Sequence, residues 1–530
     1  MNFFTPFAKQ KLGQLIPLPL MSLLLILGVV TSIFFIITFA QFSVDDSYIT
    51  FRYARNFWEF GIWNWNPDKV EFVEAYTNPM YAFISLAPEY FGINPVLIFK
   101  FGNFCLFLFL VYLTHREGIK KYATFYLLIY PSVYIHMFSG LETFTFIFFY
   151  IYLYILLQKK EFHFNFYLLI FLFPFVRPEG LIFSLIYYYF SIEWKKPHVL
   201  RPALIIASAW IFYFIFRYKY FNTFLPNTFE VKGFSSLNYV LNNFLDFKFE
   251  FIFLMILFYL IKVYTFRTLI VATFCILLFY TVSDLQMNYA NRFSFHVIFP
   301  IAIIYLTYFN ETVKIPYKII LGILLIIFFG QSLYTSYREI RHQYSNSLYV
   351  LKNMAFNLQD FRCGRIMLLG DAGITPYIST WSTIDFIGLA NRQIAMNKGI
   401  SMSYLEKKDP DLIFLFASKK GGEDLFPLFN QNIILDYINL SKKLEKIGYI
   451  TWHESYYYAV YLKKTDPNFN EIRNIILRAI EESKNDNITN ERLVLNWAKR
   501  EFLRNVLNFK YFKDELNFNG IKSNPMVQCN

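Results

Sequence analysis

The chain has 530 residues, of which 56% are AVILMFWYC and only 17% DEKR, with 66 Phe and 41 Tyr; that composition excludes a soluble or disordered protein. The net charge of +12 would suit an acidic partner such as nucleic acid, but a membrane protein with basic cytoplasmic loops acquires the same excess, so no nucleic-acid partner is expected. Residues 1–335 carry 24 Lys+Arg and 17 Asp+Glu, whereas the shorter stretch 336–530 carries 26 and 21, which divides the chain into a membrane part and a part of soluble-domain composition. Cys105, Cys275, Cys363 and Cys529 form no disulfide framework, and a bridge from Cys363 to Cys529 is disfavoured.

In chain order, the apolar run 16–40 is too long for a signal-peptide core, has no small-residue cleavage site, and reads as an uncleaved anchor. Apolar stretches follow at 95–114, 122–138, 141–158, 164–176, 180–192, 198–216, 249–264, 268–283, 293–309 and 316–335, which predicts eleven transmembrane helices with the anchor. The stretch 79–91 is too short to span and is expected as an interfacial helix. With the N-terminus inside, the inner loops hold 14 basic residues against 4 acidic ones, and an odd count sends residues 336–530 to the outer side. This predicts a multi-pass protein of the cytoplasmic membrane with a C-terminal extracytoplasmic domain.

In this topology the polar clusters all fall on the outer face: Asp45-Asp46, Glu74 to Asn78, Glu142, Arg177 to Gly180, Asn227 to Lys232, and Asp284 to Arg292. Ionisable groups at a membrane boundary are costly and usually functional, so a pocket is expected there. The segment from Asp45 is helix-compatible, and Asp45, Tyr48, Arg52, Arg55 and Glu59 share one face by their spacing. The simpler reading makes Ser43 and Asp46 a capping box and Arg55 with Glu59 an exposed pair. Glu142, Arg177 and Glu179 fit a structural ion pair as well as a site. Seven scattered histidines show no ligand spacing, and neither a nucleotide-binding loop nor a G-x-S-x-G elbow occurs.

From Ser336 short apolar strands (365–369, 412–416, 456–462) alternate with polar helical stretches (469–483, 488–507), which predicts an α/β or α+β domain. Asp371 to Gly373 reads as a turn and Tyr456 to Tyr458 as strand composition, with sugar stacking on the tyrosines as the alternative.

The string Asp45-Asp46-Ser47-Tyr48-Ile49-Thr50-Phe51-Arg52-Tyr53-Ala54-Arg55-Asn56, then Asn66-Pro67 and Glu74-Ala75-Tyr76-Thr77-Asn78, resembles the first outer loop of GT-C glycosyltransferases that use polyprenyl-phosphate sugars. The likeness is greatest to the terminal arabinofuranosyltransferases of arabinan cell walls. Gly140 to Thr143, Arg177 to Gly180, Pro226 to Lys232, Asp284 with Met287 and Arg292, Gly370 to Gly373 and Asp385 to Leu389 follow in that family's order. Ala75 stands where the family usually has glycine, and the glycines expected before Asp284 are absent. The resemblance implies a transmembrane transferase domain over 1–335, with its catalytic first loop at 41–94, and an extracytoplasmic domain over 336–530. It makes Asp45 the catalytic base, with Asp46 as the alternative. Tyr48, Glu74, Tyr76, Asn78, Glu142, Arg177, Glu179, Asn227 and Asp284 become the substrate-contact candidates.

The chemistry agrees with this reading. Nucleotide sugars are cytoplasmic, so an outward-facing transferase needs a sugar already carried across the membrane, as on a polyprenyl phosphate. Phosphate leaves without a general acid; one carboxylate must take the proton of the acceptor hydroxyl, and cations must neutralise the departing phosphate. Arg52, Arg55, Lys232 and Arg292 are the outer-face cations for that task. The expected partners are the lipid-linked donor, an envelope glycan or glycolipid acceptor and the bilayer. No cofactor is required, though a divalent metal aiding the carboxylates stays open. The rival expectation is a transporter or flippase for a lipid-linked or anionic substrate, against which stand the charges at one surface and the lack of an internal repeat.

Overall fold

The structure is a computed structural model and describes residues 18–40, 42–67, 71–116, 121–159, 161, 163–191, 197–233, 237–283, 288–310, 312–343, 347–418, 431–453 and 456–484. It is 71% helical, with a small sheet towards the C-terminus. Among the described residues six helices are long and apolar enough to cross a membrane: Ser22–Phe39, Pro95–His115, Leu200–Phe221, Tyr264–Thr281, Tyr289–Phe309 and Ile315–Glu339.

The other five expected spans fall short for local reasons. The run 122–138 breaks at Tyr130 (φ −82°, ψ 110°), because the residue before a proline avoids the helical region, and leaves helices Lys121–Ile129 and Pro131–Phe138. Pro131–Phe138 then meets Thr143–Gln158 at 116°, and together they make at most one broken span. Helices Phe164–Val176, Glu179–Ser191 and Lys248–Leu260 have 13 residues each, about 20 Å against a hydrocarbon thickness of about 30 Å. The first two pack tightly across the Arg177–Pro178 turn. A side chain at Gly180 would lie 2.3 Å from the Phe173 carbonyl oxygen. The single interfacial helix expected at 79–91 is two short ones, Pro79–Ile84 and Leu86–Tyr90.

The C-terminal sheet has five strands: β1 (Ile366–Leu369), β2 (Ser382–Asp385), β3 (Leu412–Ala417), β4 (Leu444–His453) and β5 (Tyr456–Lys463), in the order β2-β1-β3-β5-β4. The first three are parallel, and β3-β5-β4 are antiparallel. β3 lies at the centre and is buried at all six positions, as its uninterrupted apolar sequence requires. Helix Phe469–Lys484 matches the expected 469–483; the stretch 488–507 lies outside the described residues. β2 and β4 carry no strong alternation and were not expected. Cys363 is disulfide-bonded, contrary to expectation, whereas Cys105 and Cys275 are free; Cys529 lies outside the described residues.

Two hydrophobic cores form. One unites the apolar helices of the membrane half. The other joins the sheet domain to the first loop, with Tyr48, Phe51, Tyr53, Trp65 and Tyr81 packed in one cluster with Leu369, Tyr377, Trp381 and Phe416. Burial of that many large rings, each removing well over 100 Å² of surface, fixes the sheet domain on the loop.

Candidate functional site

Helix Ser47–Phe60 carries four of the five residues whose spacing predicted a shared face, and Asp45 stands just before its N-cap. They do share it, and residues 373–381 of the sheet domain cover it. The Asp45 carboxylate accepts a hydrogen bond from the Ile374 backbone N–H at 2.8 Å. Gly373 is glycine because a Cβ there would fall 2.2 Å from Asp45 oxygens. Tyr48 packs on Tyr377 with ring centroids 5.1 Å apart. Arg52 donates to the Trp381 carbonyl at 2.7 Å and lies 4.3 Å over the Trp65 ring. Arg55 pairs with Glu59 at 2.9 Å and stacks 4.8 Å over Tyr377. The structure therefore places Arg52 and Arg55 in the seam between loop and sheet domain, each against a group of the sheet domain. The expected capping role of Asp46 is absent: it occupies the N-cap position with helical φ and ψ and makes no side-chain cap bond.

A cation cluster gathers about the ring of Phe293. The Arg177 guanidinium lies 5.9 Å from the ring centroid, Lys232 Nζ 5.8 Å and the Arg292 guanidinium 4.8 Å. Arg177 is neutralised by Glu142 at 2.6 Å and Glu179 at 3.2 Å, and Tyr280 donates to Glu179 at 2.5 Å. Asn78 bridges Thr50 to Glu142, at 2.9 and 2.6 Å. Lys232 and Arg292 differ. Neither has an ion-pair or side-chain hydrogen-bond partner among the described residues, and Arg292 Nε is buried unpartnered. Burial, helped by the nearby Arg292 and Arg177 charges, pushes the Lys232 amine down to about 8, and Asp46 opposes that shift. Two uncompensated cations side by side form an anion site.

Asp46 faces them, and behind it three further carboxyl groups follow, Asp371, Asp45 and Asp385. Asp46 is half-buried, accepts no side-chain hydrogen bond among the described residues, and its charge reaches Lys232 on one side and Asp371 on the other. Asp371 comes from the sheet domain, at the end of β1. Tyr458 donates a short hydrogen bond to it, and the Tyr456 hydroxyl approaches at 3.4 Å. These tyrosines alternate on one face of β5, so two hydroxyls reach one carboxylate. Burial pushes the Asp371 carboxyl up to about 6, with Asp46 adding to the shift, and burial with Asp371 raises Asp45 well above its ordinary value. Asp385 accepts from Ile387 and Ala390 N–H, at 2.9 and 2.8 Å; burial pushes it up to about 7.

Groups whose folded pKa is raised stabilise the fold below their unfolded values, near 4, and lose that contribution as pH climbs through the folded values. The seam is therefore expected to loosen between pH 5 and pH 8. Hydrogen exchange at the amides of Gly373 and Ile374 measures this, and protection that stays constant over that range would contradict it.

The remaining expected contacts sort cleanly. Glu74 forms a buried ion pair with Arg217 and does not reach the cluster. Tyr76 accepts from the Trp63 indole at 3.1 Å and packs edge-on against Tyr53. Asn227 clamps the sheet domain by donating to the Gly388 and Leu389 carbonyls, at 2.5 and 3.1 Å. Asp284 lies outside the described residues. Among the described residues no group of three His, Cys, Asp or Glu is placed to hold a metal ion. Asp371 and Phe293 were not expected in the site, and Tyr456 and Tyr458 only under the alternative of sugar stacking; the period-2 spacing of the tyrosines is what pointed to them.

Beside the cluster is a cavity of about 190 Å³, walled by Phe175, Trp210, Phe214, Leu225, Phe229 and Phe279, with Glu179 and Arg217 among its few charged residues. Phe229 belongs to the short helix Asn227–Lys232, so the apolar wall and the Lys232 amine share one element.

Residues 338–463, which include the whole sheet, match a protein family described as a domain of unknown function (DUF8728). No curated protein matches the chain, and no solved structure matches it.

Proposed function

We propose that the protein is an inverting glycosyltransferase that moves a sugar from a polyprenyl-phosphate donor to an envelope glycan or glycolipid on the outer face of the cytoplasmic membrane. One observation carries this reading: Lys232 and Arg292 stand unpartnered opposite the free carboxylate of Asp46 and beside an apolar cavity. A phosphate bearing a hydrocarbon chain satisfies both halves of that arrangement. The excess of basic residues in the predicted inner loops supports an outward-facing site.

In the reaction, Asp46 takes the proton of the acceptor hydroxyl while that oxygen forms its bond to C1 of the sugar. The bond from C1 to the phosphate oxygen breaks and its electron pair leaves with the phosphate, where Lys232 and Arg292 neutralise the new charge. Attack opposite the leaving group inverts the anomeric centre. Asp46 is preferred to Asp45 because Asp45 is engaged with the sheet domain; Asp45 is a positioning residue. Asp371 and its two tyrosines flank Asp46 on the side away from the cations and offer polar contacts to acceptor hydroxyls.

Transport of the same lipid-linked sugar would leave the bond from sugar to phosphate intact. Purified protein incubated with a panel of polyprenyl-phosphate sugars and extracted envelope glycans is expected to release free polyprenyl phosphate. Movement of an intact donor across reconstituted vesicles, without release, would favour the flippase.

A further inference from the structure

Away from the seam, one acid in the membrane half has no assigned task. Glu250 lies in the first turn of helix Lys248–Leu260, is 5% exposed, and has no partner for its Oε2 atom. It lines a cavity of about 20 Å³, together with Ser132, Asn291, Ser294, Gln331 and Ser332. That is room for one water-sized occupant. Ser132 and Ser332 hold each other at 2.6 Å, which keeps two hydroxyl oxygens at the wall. Ala290 and Asn291 have φ of 45° and 55°, so the backbone is left-handed just before helix Arg292–Ile304. Such a break turns carbonyl groups away from helical pairing. The lining thus presents a carboxylate, three serine and two tyrosine hydroxyls, two amides and irregular backbone, with no basic side chain.

We propose that this cavity is a binding site for a small monovalent cation, sodium being the best fit. When ionised, a carboxylate buried inside apolar helices needs a counter-charge, and the polar side chains of the lining offer oxygen atoms and no basic nitrogen. One negative charge balances one positive charge. Calcium sites draw on several carboxylates, and magnesium keeps waters for which there is no space. Unwound backbone next to a carboxylate within a helical membrane core is a known way of binding sodium. Asn291 and Ser294 bracket Arg292, so occupancy would also fix the turn that carries this cation. The binding itself does not depend on the function proposed above.

The test uses the full-length protein in detergent, with radiolabelled sodium against a choline background. Saturable sodium binding is expected in the wild type and its loss in Glu250→Gln, whose neutral amide matches the carboxylate in size. Ser294→Ala, which removes one ligand, is expected to weaken binding about tenfold. Melting temperatures in choline guard against misfolding. Glu250→Gln is expected to melt at or above the wild-type temperature there, because it buries no charge, and if it melts lower, the Ser294→Ala and Ser332→Ala affinities decide. Absence of saturable sodium binding in the wild type, as for a cavity holding only water, or affinities unchanged in the well-folded variants, would overturn the proposal.

Discussion

Replacing Lys232 or Arg292 by alanine is expected to weaken binding of polyprenyl phosphate by about tenfold to a hundredfold. Each change removes a charge-assisted contact of about 1.5–3 kcal/mol, and 1.4 kcal/mol is about a factor of ten in affinity. Neither side chain has an ion-pair or side-chain hydrogen-bond partner among the described residues, so neither truncation breaks a buried ion pair. Arg177→Ala is a poorer probe. It would leave Glu142 and Glu179 buried without their guanidinium, a defect of about 3–5 kcal/mol that acts on folding. Fluorescence-detected binding of undecaprenyl phosphate by each variant, at matched melting temperature, reads the difference. Wild-type affinity in both Lys232→Ala and Arg292→Ala would place the phosphate elsewhere.

The second large effect concerns Asp46. Asp46→Asn keeps size and shape but cannot take a proton, so turnover is expected to fall about a hundredfold or more while donor binding stays within a few-fold of wild type. Its side chain holds no structural hydrogen bond among the described residues, so the fold is expected to survive the change. Asp45→Asn acts by another route. It weakens the acceptor for the Ile374 N–H and so loosens the sheet domain, which limited proteolysis detects in that variant and not in Asp46→Asn. Comparing the two separates proton transfer from positioning.

The contrast between these neighbours shows how far the sequence could be read. Spacing alone put Asp45, Tyr48, Arg52 and Arg55 on one helix face, and they are on one face. Spacing could not say what covers that face. Its cover, Gly373 to Trp381, lies more than 300 residues away, and the contacts of Arg52 with the Trp381 carbonyl and the Trp65 ring are tertiary facts. Arg52 and Arg55 therefore looked like phosphate ligands until the sheet domain was in place. Lys232 and Arg292 came from a different argument, the convergence of loops on one side of a membrane, and both do lie against the ring of Phe293. Phe293, the ring about which the cations collect, had no signal within a chain holding 66 Phe.

The apolar runs were legible because composition sets them, but their division into helices was not. Pro131, Pro178 and the Ser139-Gly140 bend break or end helices at points that hydropathy averages over. Asp371 was read as part of a turn, and it lies in the irregular link between β1 and helix Ile374–Ser379. Its approach to Asp46 follows from the docking of β1 and β5 on the first loop, through a core that mixes both ends of the chain.

The most direct measurement follows the sugar itself. Wild-type protein and Asp46→Asn, both shown to bind undecaprenyl phosphate, are given a radiolabelled polyprenyl-phosphate sugar and envelope glycan, and the glycan product is analysed for label and anomeric configuration. The account predicts labelled glycan of inverted configuration from the wild type, together with free polyprenyl phosphate, and about a hundredfold less from Asp46→Asn. Equal transfer by the two proteins, or a product that retains the donor's configuration, would contradict it.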